Sequence, residues 1–221
     1  MLKIEKTVLP SPEQWEIIIE GMRNPMNSWG RSDSHKTHIE DVETLETADY
    51  EFFLGENDRN LMVSLAKGGA VHAKYRRMIP VFLTINAPLY WWKEFDTYKV
   101  GTVANSCSTM HKIHAKEFTL DDFSCEHLNM NSKRLMEITV ETMNMEREKL
   151  MESGNKDNWW QMIQLLPTSY NQKRTVMLNY EVLHNIYHSR KNHKLDEWHT
   201  FCDWIKELPY SELITGEEHE D

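Results

Sequence analysis

Residues 80–112, PVFLTINAPLYWWKEFDTYKVGTVANSCSTMHK, constrain the fold more than any other stretch. Val81 to Ile85 alternate around β-branched residues, the pattern of a buried strand. Pro88 ends that pattern and suits the first turn of a helix, where its missing N–H would go unpaired anyway. The helix is expected to carry Trp91, Trp92, Lys93, Glu94, Phe95 and Tyr98. After Gly101 a polar turn is expected, Asn105-Ser106-Cys107-Ser108-Thr109. Backbone N–H groups and hydroxyls in such a turn can hold a phosphate. An ordinary strand, helix and Asn/Ser turn has the same composition, so the residue types leave both readings open.

A chain of 221 residues can bury a substantial core. That length is one large domain or two small ones, and 216–221 reads as an acidic tail. A net charge of −10 argues against a surface for nucleic-acid polymers, although a local basic pocket still admits a free nucleotide. No apolar run approaches a membrane span and no secretory signal is visible, so no membrane partner is expected. The three cysteines, 107, 125 and 202, form no disulfide framework. A reducing, cytoplasmic setting is expected. The 13 Met and 8 Trp suit large, adaptable contacts in cores or between subunits.

Taken in order, residues 2–8 alternate as a strand. Ser11-Pro12-Glu13-Gln14 is a capping box with Pro at the first helical position, opening a helix over 12–23 with Trp15, Ile18, Ile19 and Met22 inward. Residues 24–41 are expected to be a long loop. Asp58 is expected to cap a helix that ends at Gly68-Gly69. Thr119 caps a short helix. A long amphipathic helix spans 130–152, with Leu135, Ile138, Met143 and Leu150 as its stripe. Asp157 is expected to cap the helix that stops at Pro167, and a last helix spans 194–207.

Cys107, His111, His114 and Cys125 lack a recognisable zinc spacing, and His184 and His188 at i,i+4 lack the intervening Glu of a metalloprotease helix. No metal site is expected. Cys107 with His111 as a nucleophile pair is a minor alternative. The chain has no P-loop and no GxGxxG.

Three segments resemble the flavin-dependent thymidylate synthases. That family runs from a buried strand through Ala-Pro into Arg-Gln-Trp, Arg-His-Arg and Asn-Glu-x-Ser-x-Arg-Tyr. Here Ala87-Pro88, Lys93-Glu94-Phe95, Thr97-Tyr98-Lys99 and Asn105-Ser106-Cys107-Ser108-Thr109-Met110-His111 stand in that order. Upstream, Gly69-Ala70-Val71-His72 is similar to the family's Gly-His, with Arg77 where the family has Glu. Downstream, Leu166-Pro167 is followed by Asn179 and then Arg190 at the family's intervals. If Asn179 and Arg190 share a helix, they stand roughly 16 Å apart on one face. Read without the resemblance, Asn179 is a buried hydrogen-bonder and Arg190 a helix-end cation. Departures include Glu181, Met110 and Ile163 where the family has Arg.

The resemblance implies a single α+β domain over 1–215, a curved and mainly antiparallel sheet flanked by long helices, assembled as a homotetramer. It implies FAD as cofactor, with NADPH and methylenetetrahydrofolate as co-substrates. The family's reaction places a one-carbon unit on C5 of dUMP. Carried over by position, His72, Lys74, Arg77, Tyr98, Lys99, Asn179 and Glu181 would bind FAD. Lys93, Glu94, Asn105, Ser106, Ser108, Thr109 and Arg190 would bind the nucleotide, with Ser108 and Lys99 catalytic. Two alternatives stand beside it: a flavoenzyme for another pyrimidine nucleotide such as dCMP, and a non-catalytic oligomeric binding protein on the same scaffold.

Overall fold

The computed structural model describes residues 1–38 and 50–217. The architecture is α+β with antiparallel sheets. In chain order the described elements are β1 (Lys3–Val8), α1 (Pro12–Arg23), β2 (His35–His38), β3 (Tyr50–Phe53), α2 (Glu56–Lys67), β4 (Pro80–Pro88), α3 (Leu89–Phe95) and β5 (Val103–Ser106), followed by α4 (Met130–Ser153), α5 (Lys156–Leu165), β6 (Asn171–Asn179), α6 (Tyr180–Arg190), α7 (Asp196–Lys206) and α8 (Glu212–Thr215). A four-stranded sheet has the order β1-β4-β6-β5, which makes β5 an edge strand. A separate antiparallel ladder pairs β2 with β3, His35 opposite Phe53 and His38 opposite Tyr50.

The chain divides into two compact units. The first comprises Met1–Lys6, Thr84–Thr97 and Ala104–Val176; the second comprises Thr7–Leu83, Tyr98–Val103 and Met177–Asp221. The first unit has a core of Ile113, Phe118, Phe123, Val140, Met143, Met162 and Tyr170. Its α3 buries Trp91, Trp92 and Phe95, whose rings pack edge-on and stacked at 4.9–5.2 Å. In the second unit Trp15 stacks on Phe52 and meets Tyr180 and Tyr210 edge-on. Ile18, Ile19 and Met22 join it inside, the face expected for α1.

Local chemistry sets most boundaries where expected. Ser11 Oγ accepts from Gln14 N–H while Gln14 Oε1 accepts from Ser11 N–H, the reciprocal capping box. Pro88 is the N-cap of α3. Gly154 closes α4 at φ 66°, a left-handed turn that costs glycine nothing.

Several expectations are corrected. Residues 24–38 hold two 3₁₀ turns and β2 rather than plain loop, and the rest of the expected loop, 39–41, lies outside the described residues. Tyr98 lies beyond the end of α3, and Asn105 and Ser106 belong to β5 rather than to a turn. Asn155, not Asp157, caps α5 by accepting from Asp157 N–H. The last long helix is α7, 196–206, with the short α8 after it. On α4, Leu135 and Ile138 face solvent, while Val140 and Met143 face the core.

Asp58 does not cap α2 either. The N-cap is Gly55, and Asp33 reaches in to accept from Asn57 N–H at 2.9 Å and Asp58 N–H at 3.2 Å. A Cβ on Gly55 would fall 2.2 Å from Asp33 Oδ1, so the cap needs glycine for space. The Asp58 carboxylate turns inward instead and is fully buried. It accepts from Arg23 Nε, from the hydroxyls of Ser32 and Ser34 at 2.7 Å each, and from the backbone N–H of Asp33 and Ser34. Burial alone would raise its pKa, but hydrogen bonds from Ser34, Ser32 and Arg23 outweigh it and hold the carboxyl below the usual range. One ion thus fastens segment 28–34 to α1 and α2.

Candidate functional site

The second unit holds all the residues assigned above to a cofactor. β6 runs into α6 at Asn179, whose extended backbone (φ −142°) makes it the N-cap and whose side-chain oxygen accepts from Val182 N–H at 3.1 Å. The turn 98–103 lies against this helix start. A Cβ on Gly101, at φ 80°, would approach Asn179 Nδ2 to 3.1 Å and Val182 Cγ2 to 3.2 Å, so glycine permits both the turn and the contact. At the other end of α6, Arg190 Nε donates to the Tyr98 hydroxyl at 2.9 Å. The Arg190 guanidinium also sits 5.7 Å over the Tyr98 ring and 5.1 Å over the Trp198 ring. Asn179 and Arg190 thus stand at the two ends of α6, the turn 98–103 meets both through Gly101 and Tyr98, and Lys99 is exposed on that turn. Thr102 Oγ1 is buried there without a hydrogen-bond partner among the described residues. Trp198 is the member that spacing arguments missed. Its only signal was an aromatic residue eight positions past Arg190, on the separate helix α7.

The segment Lys74–Met78 splits its side chains by direction. Tyr75 and Arg76 are buried, and His72, Lys74 and Arg77 are exposed. The Tyr75 hydroxyl donates to the Met62 carbonyl at 2.8 Å, and burial raises its pKa. Arg76 Nε pairs with Glu181 Oε2 at 2.8 Å, and Arg76 Nη1 donates to the Leu213 carbonyl. Glu181 therefore spends its charge on Arg76, a partner not foreseen, because nothing in Arg76-Arg77 says which cation turns inward. Nearby, α2, α6 and α8 line a groove of ≈ 740 Å³ that includes Arg59, Arg76, His184, His188 and Glu212. The His184 and His188 rings are 4.4 Å apart, and His184 Nδ1 bonds the Ile214 carbonyl. Burial, with Arg76 adding to it, lowers the His184 pKa, so the ring is neutral at pH 7. Among the described residues no group of three or more His, Cys, Asp or Glu could hold a metal ion.

The first unit holds the residues assigned to a nucleotide, other than Arg190. Lys93 is exposed and Glu94 half-buried on α3. Thr97 Oγ1 donates to the Glu94 carbonyl at 2.7 Å. Asn105, Ser106 and Ser108 are exposed and Thr109 is half-buried. Ser108 Oγ accepts from the N–H groups of Met110, His111 and Lys112, most closely at 2.9 Å from His111. Its hydroxyl therefore organises the turn 108–112.

A relay of four further residues fastens this turn. Cys107 N–H donates to the Lys173 carbonyl at 2.9 Å, and Gln172 Nε2 donates to the Cys107 carbonyl at 2.8 Å. Arg174 Nε holds Gln172 Oε1 at 2.9 Å, and Arg174 Nη1 donates to Asp96 at 2.7 Å. The Arg174 guanidinium lies 4.3 Å over Trp92, whose Nε1 donates to the Gln172 carbonyl. Sequence reasoning missed Asp96, Gln172 and Arg174. The alternation of 171–179 was the available signal, obscured by charge at Lys173 and Arg174. Cys107 is exposed and Cys125 half-buried with a pKa raised by burial, while buried Cys202 is pushed up to about 11.

No protein-family model matches the chain. No curated protein matches it by sequence. Solved structures do match. Thymidylate synthase X from Helicobacter pylori, with FAD and dUMP, is 14% identical, with 98% of each chain covered and a TM-score of 0.66. A second structure of that enzyme complexed with FAD and dUMP is 15% identical, with 97% of this chain and 98% of the other covered and a TM-score of 0.64. The UMP/dUMP methylase PolB from Streptomyces cacaoi, bound with 5-Br dUMP, is 12% identical, with 98% of this chain and 94% of the other covered and a TM-score of 0.61. The chain thus has the fold of the flavin-dependent thymidylate synthases over nearly its whole length.

Proposed function

We propose that this chain, a protein with the flavin-dependent thymidylate synthase fold, is an FAD-dependent methyltransferase acting on a pyrimidine nucleotide. The observation that carries the reading is a likeness of fold that spans 98% of this chain and of an enzyme solved with FAD and dUMP. The donor set of the second unit fits FAD. The half-buried Tyr98 offers a ring, with the fully buried Trp198 packed edge-on behind it, Asn179 offers an amide, and Lys74, Arg77 and Lys99 are exposed cations with no ion-pair partner among the described residues. His72, Lys74, Arg77, Tyr98, Lys99 and Asn179 would hold the cofactor, and Glu181 would hold Arg76 and so the segment that carries Lys74 and Arg77. FAD, when bound, supplies the redox chemistry.

Lys93, Asn105, Ser106, Thr109 and Arg190 would bind the nucleotide. Lys99 would supply an exposed cation at the reacting end, and Ser108 orients the amides of the turn that would meet the substrate. Methylenetetrahydrofolate as one-carbon donor, NADPH as reductant and a homotetramer belong to the same reading.

Arg190→Ala is expected to weaken nucleotide binding by about 1.5–3 kcal/mol, the worth of a charge-assisted contact. Arg190→Lys should restore only part, because an ammonium cannot lie flat on Trp198 and still fork to an anion. Calorimetry with dUMP and UMP measures this. Unchanged affinity would make Arg190 a packing residue for Tyr98 and Trp198.

A second reading concerns the base. An ionised Glu only accepts hydrogen bonds, whereas the family's Gln also donates. Facing the base, Glu94 would oppose uracil O4 and favour the cytosine amino group, since two facing acceptors leave both unpaired. The expected result is tighter binding of dCMP than of dUMP by the natural chain, reversed by Glu94→Gln. Equal preference in both proteins would place Glu94 off the base and favour the plain dUMP reading.

A further inference from the structure

We infer that the outward face of α4 pairs with the same face of a second copy of this chain, antiparallel about a two-fold axis close to Val140. This goes beyond the tetramer of the proposed function by naming the surface, and it depends on neither cofactor nor nucleotide.

α4 is a 24-residue helix with two apolar faces. One faces the core of its own unit through Val140 and Met143, with Met136 and Leu150 packed beside them. The opposite face carries Leu135, Ile138 and Met145, exposed at 66%, 50% and 52%. With Thr142 these recur at spacings of three, four and three residues, the a/d spacing of a short helix-pairing stripe. Thr142 donates its hydroxyl to the Ile138 carbonyl of its own helix, and Thr139 donates to Leu135. Both hydroxyl protons are thus already used within the helix.

Charge selects the occupant and its direction. The flank of the seam carries Arg134, Glu141 and Glu148, none with an ion-pair partner among the described residues. In an antiparallel self-pair Leu135 meets Met145 of the other copy, and Ile138 meets Thr142. That register sets Arg134 against Glu148 twice, once at each end, with one Glu141–Glu141 contact at the axis. A parallel self-pair sets Glu141 beside Glu146 twice and gives Arg134 only Thr139. Charge complementarity thus favours a second copy, antiparallel.

The test is sedimentation over a concentration series, with circular dichroism to confirm folding; both substitutions below lie on a solvent-facing stripe. Ile138→Glu and Leu135→Glu are each expected to weaken self-association by about tenfold or more. Arg134→Glu and Glu148→Arg should each weaken it, and the double exchange should restore it. Glu141→Gln should strengthen it, and Thr139→Cys, next to its own copy at the axis, should form a disulfide-linked dimer in a Cys107→Ser background. Self-association unchanged by the apolar substitutions, a double exchange no better than the single ones, or a monomer throughout the series would each overturn the proposal. Any of these results leaves the nucleotide reading standing, because nucleotide binding is measured separately.

Discussion

Asp58→Ala is expected to cost about 3–5 kcal/mol of folding stability, because it leaves the Arg23 guanidinium buried and unpaired. Arg23 is only 3% exposed and its remaining contacts are the backbone carbonyls of Ser28 and Arg31 and the Ser28 hydroxyl. The two serine hydroxyls and two backbone N–H groups that Asp58 gathers also lose their acceptor. For a chain of this size that corresponds to a fall of roughly 6–20 °C in Tm. Asp58→Asn should be nearly as damaging, since an amide puts donors where the site already supplies donors. The pH dependence follows from the sign of the shift. The folded pKa of Asp58 lies below its unfolded value, so its stabilisation is full above about pH 4. It is lost as pH falls through the folded pKa. Thermal melts between neutral and acid pH should show an acid-side loss in the natural chain that Asp58→Ala lacks. A melting curve of Asp58→Ala that matches the natural chain would remove the carboxylate from its place as the fastener of 28–34.

Arg76→Ala carries the second large effect, again about 3–5 kcal/mol, because it strands a carboxylate in the protein interior. Glu181 has a side chain only 14% exposed and pairs with Arg76 at 2.8 Å. The loss falls on the first turn of α6, beside the Asn179 cap, so bound cofactor should be lost with stability. Replacing both partners by apolar residues of similar size, Arg76→Met with Glu181→Leu, should recover most of the stability, since no charge is then left unpaired. Denaturant unfolding measures the stability of all three proteins, and flavin retention separates the roles. If the double variant folds and keeps its flavin, Glu181 is a fastener for the 74–78 segment. If it folds and loses flavin, the Glu181 carboxylate serves the cofactor directly.

What the sequence made legible is what short-range chemistry decides. Ser11 and Gln14 cap each other three residues apart, Pro88 cannot sit inside a helix and stands just before α3 as its N-cap rather than in its first turn, and Gly154 takes the left-handed turn that closes α4, so each boundary rests on local chemistry. The order of the family-like segments also led to the right fold. The misses share one physical cause, which is that long-range partners decide direction. Asp58 has the chemistry of a cap, and only the position of Arg23 on another helix reveals that it is a buried ion. Arg76 and Arg77 are adjacent, and only Glu181, more than a hundred residues on, turns Arg76 inward. Residues 171–179 look too polar for a central strand until Trp92 and Asp96 are seen to hold Arg174. α4 has apolar residues on two faces, so choosing Leu135 and Ile138 for the core took the outward stripe for the inward one. Spacing put Asn179 and Arg190 at the two ends of one helix, whereas the contacts of Arg190 with Tyr98 and Trp198 were not legible, because they depend on how the 98–103 turn and α7 fold back on α6.

The central claim is that FAD is the cofactor, and the absorbance of the purified chain tests it most directly. After incubation with FAD and removal of free ligand, the account predicts retained flavin bands between about 350 and 500 nm, with retention reduced by Tyr98→Ala, which removes a ring face from the donor set. A colourless protein, together with no heat or fluorescence change on titration with FAD, would contradict it and leave a non-catalytic binding protein on the same scaffold.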